Sequence, residues 1–258
     1  MQDLKVALVQ ANQVWENKKA NLENYERLLK DVDADLILLP EMFQTGFSMN
    51  TSELAEEWRE SESVEWLKSI SGAKNCAFYT SLMVSENGHY YNRGVFVTPN
   101  GDVKKYDKRK SFSLAGEHEA FNSGRTETIV EYLGWKFQLQ ICYDLRFPEI
   151  ARNYLLPNQA PAYDVLLYVA NWPEKRVSHW NALLRARAIE NQAYVLGVNR
   201  VGTDANELAY SGESKIINAL GDVFELNKNE EKVLVQVFQF KELKRVRKTL
   251  PFLLDWEY

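Results

Sequence analysis

Apolar positions along the chain follow two rhythms. Residues 4–9 form a short apolar run that predicts a strand. Leu22, Tyr25, Leu28, Leu29 and Val32 then recur at helical spacing, which predicts an amphipathic helix with Asn17 as its N-cap. Residues 36–39 predict a second buried strand, stopped by Pro40. Residues 64–70 read as a helix and 76–84 as a strand. Asn87-Gly88 is a hairpin signal, so 91–98 is the return strand. Pro99-Asn100-Gly101 then turns the chain into another strand over 103–106.

Residues 108–126 break the rhythm; an irregular segment of this length is a functional loop or a disordered one. Alternation then resumes, with a strand over 135–141, a helix over 149–155 and a fully apolar strand over 165–170. The helix predicted over 178–190 carries Trp180, Leu183 and Leu184 on one face, and 193–198 is another buried strand. Residues 216–218, 223–226 and 232–238 are expected to finish the sheet, with Gly221-Asp222 as a turn. A basic helix is expected over 240–248, followed by an aromatic tail over 250–258. Strands alternating with helices early and hairpins in the middle predict an α/β fold with a large mixed sheet. No Pro/Ser-rich linker or short repeat divides the chain, so residues 1–258 are expected to form one domain.

Composition narrows the function classes. Among 258 residues, 31 basic and 36 acidic side chains give a net charge of −5, with 45% hydrophobic and 26% charged residues. That is the balance of a globular chain rather than a disordered one. The acidic balance argues against nucleic-acid or anionic-membrane partners. No apolar run approaches the roughly 18 residues of a membrane span. The first residues lead straight into a strand, so no signal peptide is expected. Cys76 and Cys142 are too few for a disulfide framework, and a reducing cytoplasm is the expected location. G-x-G-x-x-G and Walker loops are both lacking, and His89, His118 and His179 have no metal-ligand spacing. Neither a cofactor nor a metal is expected.

Candidate chemistry gathers where strands end. Cys142 follows the strand 137–141 and enters a turn and a helix-like segment, the context of a nucleophile elbow. Cys76, inside an apolar strand, reads as an inert small hydrophobe. Glu41 directly follows Leu39-Pro40, at the sheet edge where α/β sites cluster, and is a candidate general base. Lys108 belongs to a basic cluster with Lys104, Lys105, Arg109 and Lys110, any of which could aim inward toward an oxyanion. Glu117, His118 and Glu119 sit together in the irregular segment. A Cys–His arrangement using His118 stays open on these residues alone.

Taken in order, these strings resemble the nitrilase superfamily, the carbon–nitrogen hydrolases. Leu39-Pro40-Glu41 resembles the motif carrying the family's general base, and Tyr106-Asp107-Lys108-Arg109 the one carrying its lysine. The segment from Ile141 to Glu149 resembles the nucleophile motif around Cys142. Asn171-Trp172-Pro173, the Arg185 to Asn191 segment and Tyr210-Ser211-Gly212-Glu213-Ser214 add to the likeness. The resemblance implies Cys142 as nucleophile, Glu41 as base, Lys108 and the Tyr143 backbone N–H as oxyanion donors, and Glu117 rather than Glu119 as a second carboxylate. It also implies a four-layer α-β-β-α sandwich that pairs into homodimers. The tail from about 240 to 258 is a candidate for the dimer interface, with its aromatic part, 252–258, expected to cross to the partner subunit. One departure stands out: Lys110 occupies a position where the family commonly has histidine.

Asn171-Trp172-Pro173-Glu174-Lys175-Arg176, Asn199-Arg200-Val201-Gly202 and Gly116-Glu117-His118-Glu119 are most similar to the bacterial omega-amidase branch. That implies a small-molecule amide substrate such as 2-oxoglutaramate or 2-oxosuccinamate, hydrolysed through a thioester. Arg146 is then a candidate for holding the substrate carboxylate, and Trp172 and Phe43 for walling the pocket. The alternatives are a carbamoyl-amine or carbamoyl-amino-acid hydrolase of the same superfamily, or a non-catalytic metabolite-binding protein on its scaffold.

Overall fold

The computed structural model describes residues 2–255. In chain order the strands are β1 (Leu4–Gln10), β2 (Leu36–Leu38), β3 (Glu56–Glu57), β4 (Ala77–Glu86), β5 (His89–Val97), β6 (Val103–Asp107), β7 (Ile129–Tyr132) and β8 (Trp135–Ile141). They continue with β9 (Val165–Ala170), β10 (Tyr194–Asn199), β11 (Val201–Thr203), β12 (Ala209–Ser211), β13 (Lys215–Ile217), β14 (Val223–Glu225) and β15 (Lys232–Phe238). The helices are α1 (Lys18–Leu29), α2 (Thr51–Leu54), α3 (Glu62–Lys74), α4 (Glu117–Ala120), α5 (Pro148–Ala151), α6 (Val177–Asn191) and α7 (Phe240–Thr249).

Two mixed sheets replace the single large sheet that periodicity suggests, giving the expected α-β-β-α sandwich. The first runs β15-β1-β2-β4-β5-β6, with β3 beside β4; the second runs β14-β13-β10-β9-β8-β7. Each has three parallel strands at its centre: β1, β2 and β4 in the first, β8, β9 and β10 in the second. The last long strand, β15, does not extend the second sheet. It returns to pair antiparallel with β1, from Leu4 opposite Phe238 to Gln10 opposite Lys232.

The two-residue period of a strand explains the layering. Leu4, Val6 and Leu8 of β1 join the core between the sheets, whereas Ala7 and Val9 face Tyr25 and Leu29 of α1 and Leu67 of α3. A strand covered on both faces reads as a continuous apolar run. In β8 the alternation separates Phe137, Leu139 and Ile141 from Gln138 and Gln140, whose amides both donate to the Ile150 carbonyl. Phe137 meets Phe96 of the first sheet at 5.8 Å between ring centroids. The Tyr79 hydroxyl also crosses between the sheets, donating to the Gln140 carbonyl at 3.0 Å. On the outer side of the second sheet, Trp180 and Leu184 of α6 pack against the core.

Caps end the helices where sequence places them. The Asn17 side chain accepts from the Ala20 N–H at 3.0 Å, and Asn75 closes α3 in the left-handed conformation. The helix expected over 149–155 is a single turn, α5, because Asn153 takes the chain elsewhere. Its buried side chain donates to the carbonyls of Tyr163 and Asn191, and its own N–H donates to the Asn191 side chain. Residues 108–126 contain two short helical turns, one over 113–115 and α4.

Candidate active site

The carboxyl ends of β2, β6, β8 and β9 converge at one edge of the sandwich. Glu41 follows β2, Lys108 follows β6, Cys142 follows β8 and Asn171 follows β9. The first two thus leave one sheet and the last two leave the other. Crevices outside the carboxyl ends of strands are where open α/β sheets bind ligands.

Lys108 is the buried lysine of its cluster, while Lys104 and Lys105 are exposed. Its Nζ lies 2.9 Å from Glu41 Oε1, and 2.8 and 2.9 Å from the two Glu117 oxygens. Asn92, on β5, donates from Nδ2 to Glu41 Oε1 at 2.8 Å and to Glu117 Oε1 at 3.1 Å. The Asn171 N–H donates to Glu41 Oε2 at 2.9 Å, and its side chain donates to the Glu41 carbonyl at 2.6 Å. Glu117 also accepts from the Phe112 N–H. Every carboxylate oxygen in this buried group therefore has a donor, as burial of charge requires.

Helix α4 sorts the three candidates of the irregular segment. Glu117 turns inward, while the His118 and Glu119 side chains are 51% and 80% exposed. The Cys–His alternative loses its histidine to solvent.

Cys142 occupies the elbow between β8 and a short helical turn over 142–146, with φ of 43°. A non-glycine residue in that left-handed region is strained, and such strain persists only where surrounding contacts enforce it. Asp144 supplies them. Its Oδ2 accepts from the Ile141 N–H at 3.0 Å and the Tyr106 hydroxyl at 2.8 Å, and its Oδ1 from the Lys110 N–H at 2.9 Å. The unusual Lys110 thus enters the elbow through its backbone, and its ammonium lies 4.5 Å from the centre of the Phe147 ring.

Charge and burial decide the protonation states. Burial pushes the Cys142 thiol well above its ordinary range, the Glu41 charge adds to this, and Lys108 opposes it. Burial alone would lower the Lys108 pKa, but Glu117 and Glu41 outweigh it and raise it. Burial lifts the Asp144 carboxyl to about 6, against the Ile141 N–H, the Lys108 charge and the Tyr106 hydroxyl. Burial thus holds the Cys142 thiol protonated beside Lys108 and its two carboxyl partners. Such a thiol needs a proton acceptor before it can attack.

A cavity of about 510 Å³ opens above Cys142. Trp172, Arg146 and Tyr143 line it, as do Phe47, Met49, Phe112, Arg176, Asp204 and Tyr210. Phe43 does not. Its N–H is held by the Ser81 carbonyl, and its ring is buried among Tyr25 and Trp66, at 5.7 and 5.8 Å. The left-handed Met42 and the turn that follows reverse the chain, so Phe47 reaches the cavity instead, its ring 5.1 Å from Lys108 Nζ. Arg146 makes no ion pair with Glu149 or Asp144; its partner is His179 Nδ1 at 3.3 Å. Asn92 escaped the sequence reading because a polar residue near a strand's start looks like a solvent-facing position.

Comparison with known proteins agrees with this geometry. The family described as carbon-nitrogen hydrolase matches residues 5–248. An omega-amidase YafV of Yersinia enterocolitica is 44% identical over 224 residues, covering 86% of this chain and 84% of that one. A 2-oxoglutaramate amidase of Bacillus subtilis is 34% identical, covering 86% and 85%. Among solved structures, a CN-hydrolase superfamily protein from Xanthomonas campestris, with an arsenic adduct in its active site, superposes with a TM-score of 0.97. It is 36% identical and covers 100% of this chain and 98% of its own. The sequence motifs, the two-sheet sandwich and these similarities lead to one assignment: the chain belongs to the carbon-nitrogen hydrolase family.

Proposed function

We propose that the protein is an omega-amidase, hydrolysing the terminal amide of 2-oxoglutaramate, or of the shorter 2-oxosuccinamate, to the acid and ammonia. The observation that carries this reading is the buried Lys108–Glu41–Glu117 cluster acting on Cys142, the thiol that lines the cavity. The similarity to enzymes named omega-amidase and 2-oxoglutaramate amidase supplies the substrate class.

Glu41 takes the thiol proton as the Cys142 sulfur bonds to the amide carbon. The carbonyl electrons move onto oxygen, where the Lys108 ammonium and the Tyr143 N–H hold them. One such donor contributes roughly 2.7–4 kcal/mol in comparable sites. Glu41 returns the proton to the leaving nitrogen, the C–N bond breaks and ammonia departs, leaving a thioester on Cys142. Water then gives a proton to Glu41 and attacks the thioester carbon. The C–S bond breaks, the acid leaves and the sulfur regains its proton. Glu117 holds Lys108 in place and transfers no proton. Asn92 and the Asn171 N–H fix the Glu41 carboxylate, so that the base meets sulfur and nitrogen from one position.

The test is ammonia release from 2-oxoglutaramate, beside N-carbamoyl-β-alanine, N-carbamoylputrescine and a simple nitrile, with Cys142→Ala as the blank. Turnover of the first substrate above the others is expected. Turnover of a carbamoyl compound alone keeps the mechanism and replaces the substrate.

We further propose a cytoplasmic homodimer. Phe252 and Leu254 in the tail are 53% and 60% exposed, an apolar surface suited to a second copy. The start of the tail binds its own chain, since the Gln192 side chain donates to the Leu250 carbonyl at 2.5 Å. The rest of the expected crossing, residues 256–258, lies outside the described residues. A monomer at micromolar concentration in sedimentation would remove the idea. Among the described residues no helix is long and apolar enough to cross a membrane.

A further inference from the structure

The cavity above Cys142 carries two guanidinium groups that the catalytic scheme does not use. Arg176 ends a short helical turn over 174–176, and its backbone is fixed at both ends. Its N–H donates to the Pro173 carbonyl at 3.0 Å, and its carbonyl accepts from Trp172 Nε1 at 2.8 Å. Its guanidinium lies 5.2 Å from the centre of the Phe112 ring. The Arg146 guanidinium lies 4.7 Å from the ring centre of the same Trp172. Trp172 thus stacks under one arginine and ties down the backbone of the other. Guanidinium groups stacked on aromatic faces keep their N–H edges available for a planar carboxylate.

Charge accounting separates this pair from ordinary surface arginines. Among the described residues, no carboxylate is within ion-pair distance of either guanidinium, and the one hydrogen-bonding partner is His179 Nδ1, on Arg146. The one acid in the cavity wall, Asp204, is already occupied. It accepts from the N–H groups of Asn206 and Leu208 at 2.9 and 3.0 Å and from the Tyr210 hydroxyl at 2.8 Å. Glu41 and Glu117, buried beside Cys142, are engaged by Lys108. A half-buried concave site with two fixed cations and no free anion concentrates an anionic ligand.

We infer that Arg176, acting with Arg146 in the wall of the same cavity, binds the carboxylate at the far end of the substrate and is the residue that makes the enzyme select anionic amides. This rests on the amidase reading for its chemistry, but it specifies what that reading leaves open. The amide end reaches Cys142, and the acid end is recognised by the arginine pair. Such a contact exists before and during the reaction alike, so it acts on KM more than on kcat.

Two measurements on Arg176→Gln, Arg176→Lys and Arg146→Gln test it. The first is calorimetric binding of 2-oxoglutarate, which needs no turnover. The wild-type protein should bind it, with affinity falling as salt rises. Arg176→Gln should weaken it about tenfold or more and flatten the salt dependence, as expected for loss of a charge-assisted contact. Arg176→Lys should fall between, keeping the charge without the fork. The second is the ratio of kcat/KM on 2-oxoglutaramate to that on N-carbamoylputrescine, which should drop about tenfold in Arg176→Gln through KM. A wild-type protein that fails to bind 2-oxoglutarate, or an Arg176→Gln affinity within twofold of wild type, overturns the inference. So does a wild-type preference for the cationic carbamoyl substrate. Dicarboxylate binding with the expected arginine dependence, but without turnover of 2-oxoglutaramate, supports the anion site and rejects the amidase reading alone.

Discussion

Two buried cations on neighbouring strands carry the same charge arithmetic and do different work. Arg93 on β5 is bound by Glu86 and Asp107; Lys108, one residue beyond β6, is bound by Glu41 and Glu117. Each is one positive charge between two carboxylates. Arg93 pairs across the strands with Asp107, and Asn92 meets Lys108 one position along, so alternation sends the first pair to one face and the second to the other. The Arg93 guanidinium is closed over by the rings of Trp58 and Tyr91, at 4.6 and 5.0 Å, and its carboxylates are partly exposed. The Lys108 group has both carboxylates fully buried and shares its electrostatics with a thiol. The lesson is that an ion triad is structural or chemical according to what it borders. Aromatic cover makes the first a clamp, whereas the second borders a buried thiol and is the proton-handling site we propose.

Substitutions sharpen that contrast. The largest effect belongs to Glu41→Gln, which keeps the shape of the site and removes its proton acceptor. Steady-state ammonia release should fall by about a thousandfold or more, with folding retained. Retention of more than about a tenth of the activity would remove Glu41 from the base role. Lys108→Met should abolish turnover and also cost roughly 3–5 kcal/mol of stability, because two carboxylates stay buried without their cation. Arg93→Met should separate the two properties. It should cost roughly 2–3 kcal/mol, read as a lower thermal midpoint, while kcat changes less than about threefold. A loss of kcat as large as that of Lys108→Met would mean the two triads are coupled and the comparison fails.

The smallest effect concerns pH. The Asp144 carboxyl is lifted from 3.8 to about 6 in the fold, chiefly by burial. Its contribution favours the fold below about pH 4 and is lost as pH rises through about 6. Asp144→Asn should therefore flatten the dependence of the thermal midpoint on pH between 4 and 6. An unchanged slope would place the ionisation elsewhere.

The parts legible in the sequence were those where a local rule and the tertiary contact agree. The strands at 135–141 and 165–170 match their predicted bounds, because apolar runs bounded by turns are buried on both faces. Asn17 caps α1 through a three-residue contact that needs no tertiary partner. Lys108 could not be picked from its cluster by charge, and alternation does not help, since Lys104 and Lys108 have the same strand parity and only Lys108 lies just beyond β6. The family motif chose it, and the fold buries it. Asn92 was not legible as a site residue, because it acts through Glu41 and Glu117, both distant in sequence. Phe43 misled for a related reason: nearness to Glu41 along the chain says nothing about direction after the left-handed Met42. The separation into two sheets came from the family motifs and not from periodicity, because β15 pairs with a strand more than two hundred residues earlier and no local pattern encodes that partner.

The site draws its halves from different sheets, Glu41 and Lys108 from one, Cys142 and Asn171 from the other. The clearance between base and sulfur is therefore set by the thickness of the apolar filling between the layers, as the width of a sandwich sets the gap at its rim. Phe137, Leu139, Ile141 and Phe96 never meet the substrate, yet their volumes act as shims for the catalytic gap. Thinning one of them is expected to leave a cavity into which the layers partly settle, skewing that gap, so the core is a spacing gauge for the proposed site as well as a source of stability.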